Sequence, residues 1–139
     1  MGDPYNLARF VDAQKFTFEQ ACAELRAGAK RGHWMWFVFP QIEGLGHSET
    51  ARMFAISSRD EAVAYLKHPI LGPRLRECAK LVNGVNGRSA REIFGHPDDL
   101  KFHSSMTLFA SVASDNAVFA DALQRYFAGR RDRLTMEKI

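Results

Sequence analysis

The chain has 139 residues, of which 46% are hydrophobic and 25% are charged, and its formal net charge is +3. This composition excludes a disordered chain, because it supplies enough apolar side chain to build a core without disulfide or metal staples. The basic residues are scattered apart from Lys30-Arg31 and a cluster over residues 130–133, which argues against nucleic-acid binding. The sequence therefore predicts one globular domain over residues 1–139.

Targeting signals and cysteine usage indicate a cytoplasmic protein. The N-terminus has no basic region followed by an apolar run, so we expect no signal peptide. The longest apolar run, Trp34–Pro40, has seven residues, whereas a membrane-spanning helix needs roughly 18. Cys22 and Cys78 lie far apart in helix-like patterns without a CxxC motif, which is typical of buried, reduced thiols.

The first third of the chain predicts short helices. One lies around residues 7–11, and a second begins after Thr17, which has the capping-box spacing to Gln20, and ends near Gly28. The aromatic segment Trp34–Phe39 is predicted to be a helix that is buried on nearly all sides. Residues 41–46 then form a loop.

Helical spacing of apolar residues continues through the rest of the chain. Ser58 with Glu61 and Ser89 with Glu92 have the spacing of capping boxes. Helices are predicted over residues 59–68, 73–83, 90–94, 98–112 and 118–127. No pair of alternating runs is joined by a hairpin signal. We therefore predict an all-α fold, a compact single-domain array of about six or seven short helices, with its core over about residues 5–128 and a frayed tail over 129–139.

The aromatic segment and the residue before it provide the first candidate site residues. The indole N–H of Trp36 requires a polar partner, so this side chain is either core or the wall of a pocket. His33 begins the segment and is the candidate catalytic residue, as a general acid or base or as a donor to an anion. The alternative is that His33 makes only a local hydrogen bond at a helix start.

The loop that follows is the second candidate. Gly44 and Gly46 allow backbone N–H groups to approach a ligand closely, and Gln41 lies beside them. Such a loop can hold an anion. The alternative is a simple turn that leads to a helix cap at Ser48.

The predicted helix 98–112 contains the third candidate. Lys101, Ser104 and Ser105 have the spacing i, i+3 and i+4, so they share one helix face. A lysine with two hydroxyls can bind phosphate or carboxylate. The alternatives are a solvated face, or serines that allow helices to pack closely.

Metal and cofactor motifs are missing from the sequence. The five histidines form neither HxxxH nor HExxH, and there is no phosphate-binding P-loop. We therefore predict no metal site and no cofactor.

Several motifs, in order, resemble the signature of one family. They are KRGHWMWF (30–37), FPQ (39–41), GLGHS (44–48), HPILGPRLREC (68–78), EIFG (92–95), PDDLK (97–101) and SSMTLF (104–109). Together they resemble the DUF1810 family over roughly residues 7–127. The resemblance implies a small, all-helical bacterial domain of unknown function. Some members carry a calpastatin label, but calpastatin inhibitory regions are disordered and this composition is that of a packed domain.

Two functional hypotheses follow. In the first, His33, Trp36, Gln41 and the two glycines meet the Lys101 face in a pocket for a small anionic or nucleotide-like ligand. If the protein is an enzyme, which the sequence leaves open, we expect a hydrolase or transferase. In the alternative, a non-enzymatic module uses the apolar face of residues 118–127 to bind a protein partner or a second copy in a homo-oligomer.

Overall fold

A computed structural model describes residues 2–139, which form ten helices and no β-strand. The helices are α1 (Ala8–Gln14), α2 (Phe18–Arg26), α3 (Met35–Val38), α4 (Glu49–Met53), α5 (Arg59–Lys67), α6 (Leu71–Asn83), α7 (Ala90–Phe94), α8 (Asp98–Val112), α9 (Ala117–Phe127) and α10 (Arg133–Lys138). The predicted all-α class is confirmed. The predicted number is too low, because six helices have seven or more residues and four shorter ones join them.

Helix α8 lies at the centre of the fold. It packs against α5, α7, α9 and α10, and its residues 104–110 are all buried. Phe102 lies on the N-terminal half of α8 and is fully buried. The centre of its ring is 5.0 Å from that of Phe39 and 4.6 Å from that of Phe94. The first pair is edge-on and the second is stacked, and both arrangements add to the free energy of burial. The other helices therefore form a shell around α8.

The aromatic segment before the glycine-containing loop is mostly core. Its helix, α3, is a single turn, and Trp34 and Phe39 at its two ends are fully buried. Trp36 and Phe37 are only half-buried. The segment is thus only partly buried, because the side chains of a helix point in different directions around its axis and cannot all face the core.

Side-chain caps set several helix starts. Ser89 and Glu92 form the complete capping box that the sequence predicts at α7. Ser48 and Ser58 each accept a backbone N–H at the starts of α4 and α5. Thr17 begins α2 as predicted but makes no capping hydrogen bond.

The C-terminal residues are ordered by α10, where the sequence predicts a frayed tail. The Asp132 carboxylate caps α10 by accepting the Thr135 N–H, and Thr135 is fully buried. The helix packs against α8. Its apolar residues are too few to give a helical pattern in the sequence, so only the contacts with α8 explain its order.

The apolar stripe on α9 is part of the core. Phe119, Ala122 and Leu123 are buried, and α9 packs against both α6 and α8. The face that the alternative hypothesis offers to a partner is therefore covered within the domain. No helix among residues 2–139 combines the length and apolar character required to cross a membrane.

The start of α6 requires a glycine, which gives a first prediction. A Cβ on Gly72 would lie 2.1 Å from the carbonyl oxygen of Leu66, so the Gly72→Ala substitution forces α5 and α6 apart. We expect it to lower the free energy of unfolding by about 3 kcal/mol or more in urea titrations.

Gly84 provides the matched control. Its φ is −81°, and a Cβ there would meet no atom closer than 3.4 Å. We expect Gly84→Ala to change stability by no more than about 1 kcal/mol, in either direction. Equal effects of the two substitutions would contradict this description of the α5–α6 contact.

Candidate ligand-binding site

Four of the predicted ligand-binding residues line one cavity at the surface, the α8–α10 pocket, with a volume of about 330 Å³. It is lined by Gln41, Leu45, Gly46, Pro97, Leu100, Lys101, Ser104, Asp132 and Leu134. The wall is formed by the loop after α3, the first two turns of α8 and the start of α10. This volume lies at the lower end of the range for small-ligand sites.

The loop of residues 41–46, the glycine loop, is held in place by backbone hydrogen bonds to Ile56 in the segment between α4 and α5. Ile56 N–H donates to the Gln41 carbonyl, and Glu43 N–H donates to the Ile56 carbonyl, both at 2.8 Å. This isolated parallel bridge fixes the position of Gln41 at the rim of the pocket.

Gly44 and α10 approach each other closely. The φ of Gly44 is +98°, and a Cβ there would lie 2.9 Å from Lys138 Nζ. The position therefore needs glycine for its backbone conformation and for the space that the lysine stem occupies. Gly44 shapes the loop from behind and does not line the α8–α10 pocket.

Lys101 brings positive charge to the pocket. Its ammonium lies 4.9 Å from the centre of the Trp36 ring and 3.3 Å from Asp98 Oδ1. The other oxygen of Asp98 pairs with Lys30 at 2.8 Å. One carboxylate is thus shared by two ammonium groups, which leaves a local surplus of one positive charge. The Trp36 ring supports Lys101 through a cation–π contact.

Asp132 lies in the opposite wall and joins α8 to α10. Its Oδ2 accepts hydrogen bonds from Ser104 Oγ at 3.2 Å, from Thr135 N–H at 3.1 Å and from Thr135 Oγ1 at 2.6 Å. Its backbone N–H donates to Thr107 Oγ1 at 2.9 Å. The pocket therefore has a cationic end at Lys101 and a carboxylate at the other end.

The structure separates the remaining predicted residues from this pocket. Trp36 and Gly44 line a smaller cavity of about 30 Å³ on the far side of the glycine loop. Ser105 is fully buried, and its hydroxyl has no partner among residues 2–139. Because α8 is buried on most sides, Ser105 lies in the core, whereas Ser104, one position earlier, lines the pocket. His33 is exposed and does not line the pocket.

The turn that carries His33 is organised by Glu24, which the sequence analysis did not identify. Its Oε1 accepts hydrogen bonds from Arg31 N–H, Gly32 N–H and the indole N–H of Trp34 at 2.8–2.9 Å. Burial raises the pKa of Glu24, but these hydrogen bonds outweigh burial and lower that pKa from 4.5 to about 2. Trp34, rather than Trp36, is therefore the buried indole whose N–H donates to a carboxylate.

The sequence analysis did not identify Asp132 and Leu134, since both follow the last predicted helix. A capping signal was present, because Asp132 has the spacing to Thr135 of a helix N-cap. Among residues 2–139, no three or more His, Cys, Asp and Glu side chains are grouped so that they could hold a metal ion.

The structure is a small helical domain, and the α8–α10 pocket lies between its central helix and its C-terminal helix. Residues 4–139 match the family described as "Protein of unknown function (DUF1810)", and the chain belongs to that family. No curated protein matches it.

The chain is similar to a solved structure described as the "conserved hypothetical protein Rv1873 from Mycobacterium tuberculosis". The two share 57% sequence identity over 97% of this chain and 96% of that chain, with a TM-score of 0.96. The two chains thus share one helical fold over nearly their whole length.

The Glu24 network predicts a pH-dependent stability. Because the pKa of folded Glu24 is about 2 and its ordinary value is 4.5, the stabilisation is fully present above pH 4.5 and is lost as the pH falls towards 2. We expect Glu24→Gln to lower the free energy of unfolding by about 1–2 kcal/mol at pH 7, an amount reduced for partial solvent exposure. Urea titrations from pH 7 to pH 2 should show this difference shrinking below pH 4.5.

Glu19 on the same helix is exposed and provides the control. Glu19→Gln should follow the wild-type pH profile closely. A constant difference between wild type and Glu24→Gln across the whole pH range would contradict the assigned role of the Glu24 carboxylate.

Proposed function

We propose that the α8–α10 pocket binds a small anionic ligand of the nucleotide-like kind. The observation that carries the proposal is the meeting of Gln41, Gly46, Lys101 and Ser104, from two distant parts of the chain, around one cavity of about 330 Å³. A cavity of this volume accommodates a nucleoside monophosphate or a molecule of similar size.

The charge distribution supports an anionic group at the Lys101 end. Lys101 and Lys30 share the single carboxylate of Asp98. A phosphate or carboxylate beside Lys101 would therefore neutralise the second ammonium charge. The contact between the Lys101 ammonium and the Trp36 ring restricts the lysine before binding, which reduces the entropy lost on binding.

The opposite end supports hydroxyl groups on the ligand. The hydrogen bonds that Asp132 accepts from the chain all go to Oδ2, which leaves Oδ1 as an acceptor for a sugar hydroxyl. Between the two ends, Leu100 and Leu134 are each 53% exposed and offer apolar surface to a base or another flat group. The ligand that fits both ends is thus an anion with hydroxyls and an apolar face.

The proposal concerns the binding of a ligand and assigns no reaction to the pocket. The titratable side chains that line the pocket are Lys101 and Asp132, and no histidine is among them. A hydrolase or transferase reaction that uses His33 stays a prediction, and it requires a ligand long enough to leave the pocket and reach that exposed ring.

We place this function in the cytoplasm of a bacterium. The similarity to a protein from Mycobacterium tuberculosis supports the bacterial origin. The two buried cysteines, both free thiols, support a reducing compartment.

Isothermal titration calorimetry with four probes tests the proposal. Adenosine monophosphate and ribose 5-phosphate should bind, adenosine should bind more weakly, and citrate should report whether any small polyanion suffices. Lys101→Met retains an aliphatic stem on Trp36 but removes the charge. We expect it to weaken binding of the phosphates roughly ten- to a hundredfold, the value of a charged hydrogen bond.

Lys80→Met on the exposed face of α6 is the matched control and should bind as the wild type does. The proposal is wrong if none of the probes binds, or if Lys101→Met and Lys80→Met bind the phosphates equally well.

A further inference from the structure

A cavity of about 370 Å³ opens in a groove between α5, α6 and the end of α8. We call it the α5–α6 groove. It shares no lining residue with the α8–α10 pocket, so it is a separate feature of the surface. Its volume lies within the range of small-ligand sites.

The apolar wall of the groove is left partly uncovered by the rest of the domain. It consists of Val63 and Leu66 on α5, Val112 at the end of α8 and Ala113 after it, and all four are half-buried. Val63 and Leu66 have the spacing i, i+3, so they lie on one helix face. The groove therefore offers a continuous apolar surface to an aliphatic chain.

Two cations and no carboxylate line the same groove. Lys67 on α5 is exposed and Arg76 on α6 is half-buried, and neither forms an ion pair within the described part of the chain. A neighbouring cavity shares Arg76, but its walls contain two carboxylates and two cations, so its charges are balanced. The positive charge in the α5–α6 groove is not neutralised by its own walls.

Arg76 is held in position from two sides. Its Nη1 donates a hydrogen bond to the carbonyl of Asp115 at 2.8 Å, and its Cζ lies 5.2 Å from the centre of the buried Phe119 ring. Within residues 2–139 the guanidinium makes no other hydrogen bond. The Nε and Nη2 donors are thus free on a side chain whose orientation is already fixed, which suits the planar, bidentate binding of a carboxylate.

The carbonyl groups at the end of α8 do not cancel this charge. The last carbonyls of a helix carry partial negative charge, but those nearest the groove already accept hydrogen bonds. The carbonyl of Ala110 accepts from Asn116 Nδ2 at 3.1 Å, and that of Ser111 accepts from Arg59 Nη2 at 3.3 Å. Arg59 thereby brings a further positive charge close to Val112 in the wall.

We propose that the α5–α6 groove is a second ligand site, which binds an aliphatic monocarboxylate. The carboxylate pairs with Arg76 and Lys67, and the chain covers the apolar wall of Val63, Leu66 and Val112. A molecule with one anionic group and an apolar tail matches both parts of the groove, whereas a polyhydroxylated anion would leave the apolar wall exposed to water. The inference does not depend on the function proposed for the α8–α10 pocket.

A heteronuclear NMR titration of the isotope-labelled full chain with sodium octanoate tests the proposal. We expect saturable amide shifts centred on residues 63–67 and 112–114. Hexanoate should bind there roughly tenfold more weakly, because two methylene groups fewer are buried. Octylamine has the same chain with the opposite charge and should not bind. The proposal is overturned if octanoate gives no saturable shifts in the groove, or if octylamine binds there equally well.

Substitutions of the two cations test the assigned contacts. Arg76→Met should weaken octanoate binding roughly tenfold or more, the value of a charged hydrogen bond. Lys67→Met should weaken it by about threefold, because an exposed ion pair contributes less. Unchanged affinity in both variants would overturn the pairing.

Lys15→Met and Lys101→Met are the controls. Lys15 is exposed and lines neither site, and Lys101 belongs to the α8–α10 pocket, so both variants should bind octanoate as the wild type does. Weaker binding in Lys101→Met, with normal binding in Lys67→Met, would assign octanoate to the other pocket and overturn the inference. If Arg76→Met fails to fold, Lys67→Met and the wild-type shift map decide the question, since Lys67 is exposed and forms no ion pair within residues 2–139.

Discussion

The burial of α8 is the constraint on which the rest of the structure depends. A fifteen-residue helix that is buried on most of its sides cannot be covered by one neighbour. It needs several helices around it, and α5, α7, α9 and α10 supply them. In its first two turns Leu100 is exposed and Lys101 half-buried, and both line the pocket together with the buried Ser104. The position of the pocket thus follows from where the shell around α8 is incomplete.

The long helices and several helix starts could be read from the sequence, because they depend on local rules. The bounds of α8 follow from Pro97 and the two aspartates after it, and the start of α7 follows from a capping box. α10 could not be predicted in this way. Its order comes from the hydrogen bonds that join Asp132 to Ser104 and Thr107 of α8, residues that lie 28 and 25 positions away in the sequence.

The candidate site was predictable in part for the same reason. Helical spacing places Lys101 and Ser104 on one face, but it also assigns Ser105 to that face, and the tertiary contacts of α8 bury it. Spacing alone does not predict which positions of a central helix remain uncovered by its neighbours. The role of Glu24 was out of reach as well, since its three donors become neighbours only when the turn at residues 31–34 folds back on α2.

The carboxylate of Asp132 gives the domain a thermodynamic coupling between its C-terminus and its cleft. One oxygen atom caps α10 and also accepts the hydroxyl of Ser104 on α8. A molecule resting against Asp132 and Leu134 would touch a wall that has its own local unfolding equilibrium. By reciprocity, whatever tightens the docking of α10 raises the occupancy of the cleft, and occupancy slows the fraying of α10 by the same free energy. If the pocket binds a ligand as proposed, the amide exchange rates of the terminal helix would report its occupancy.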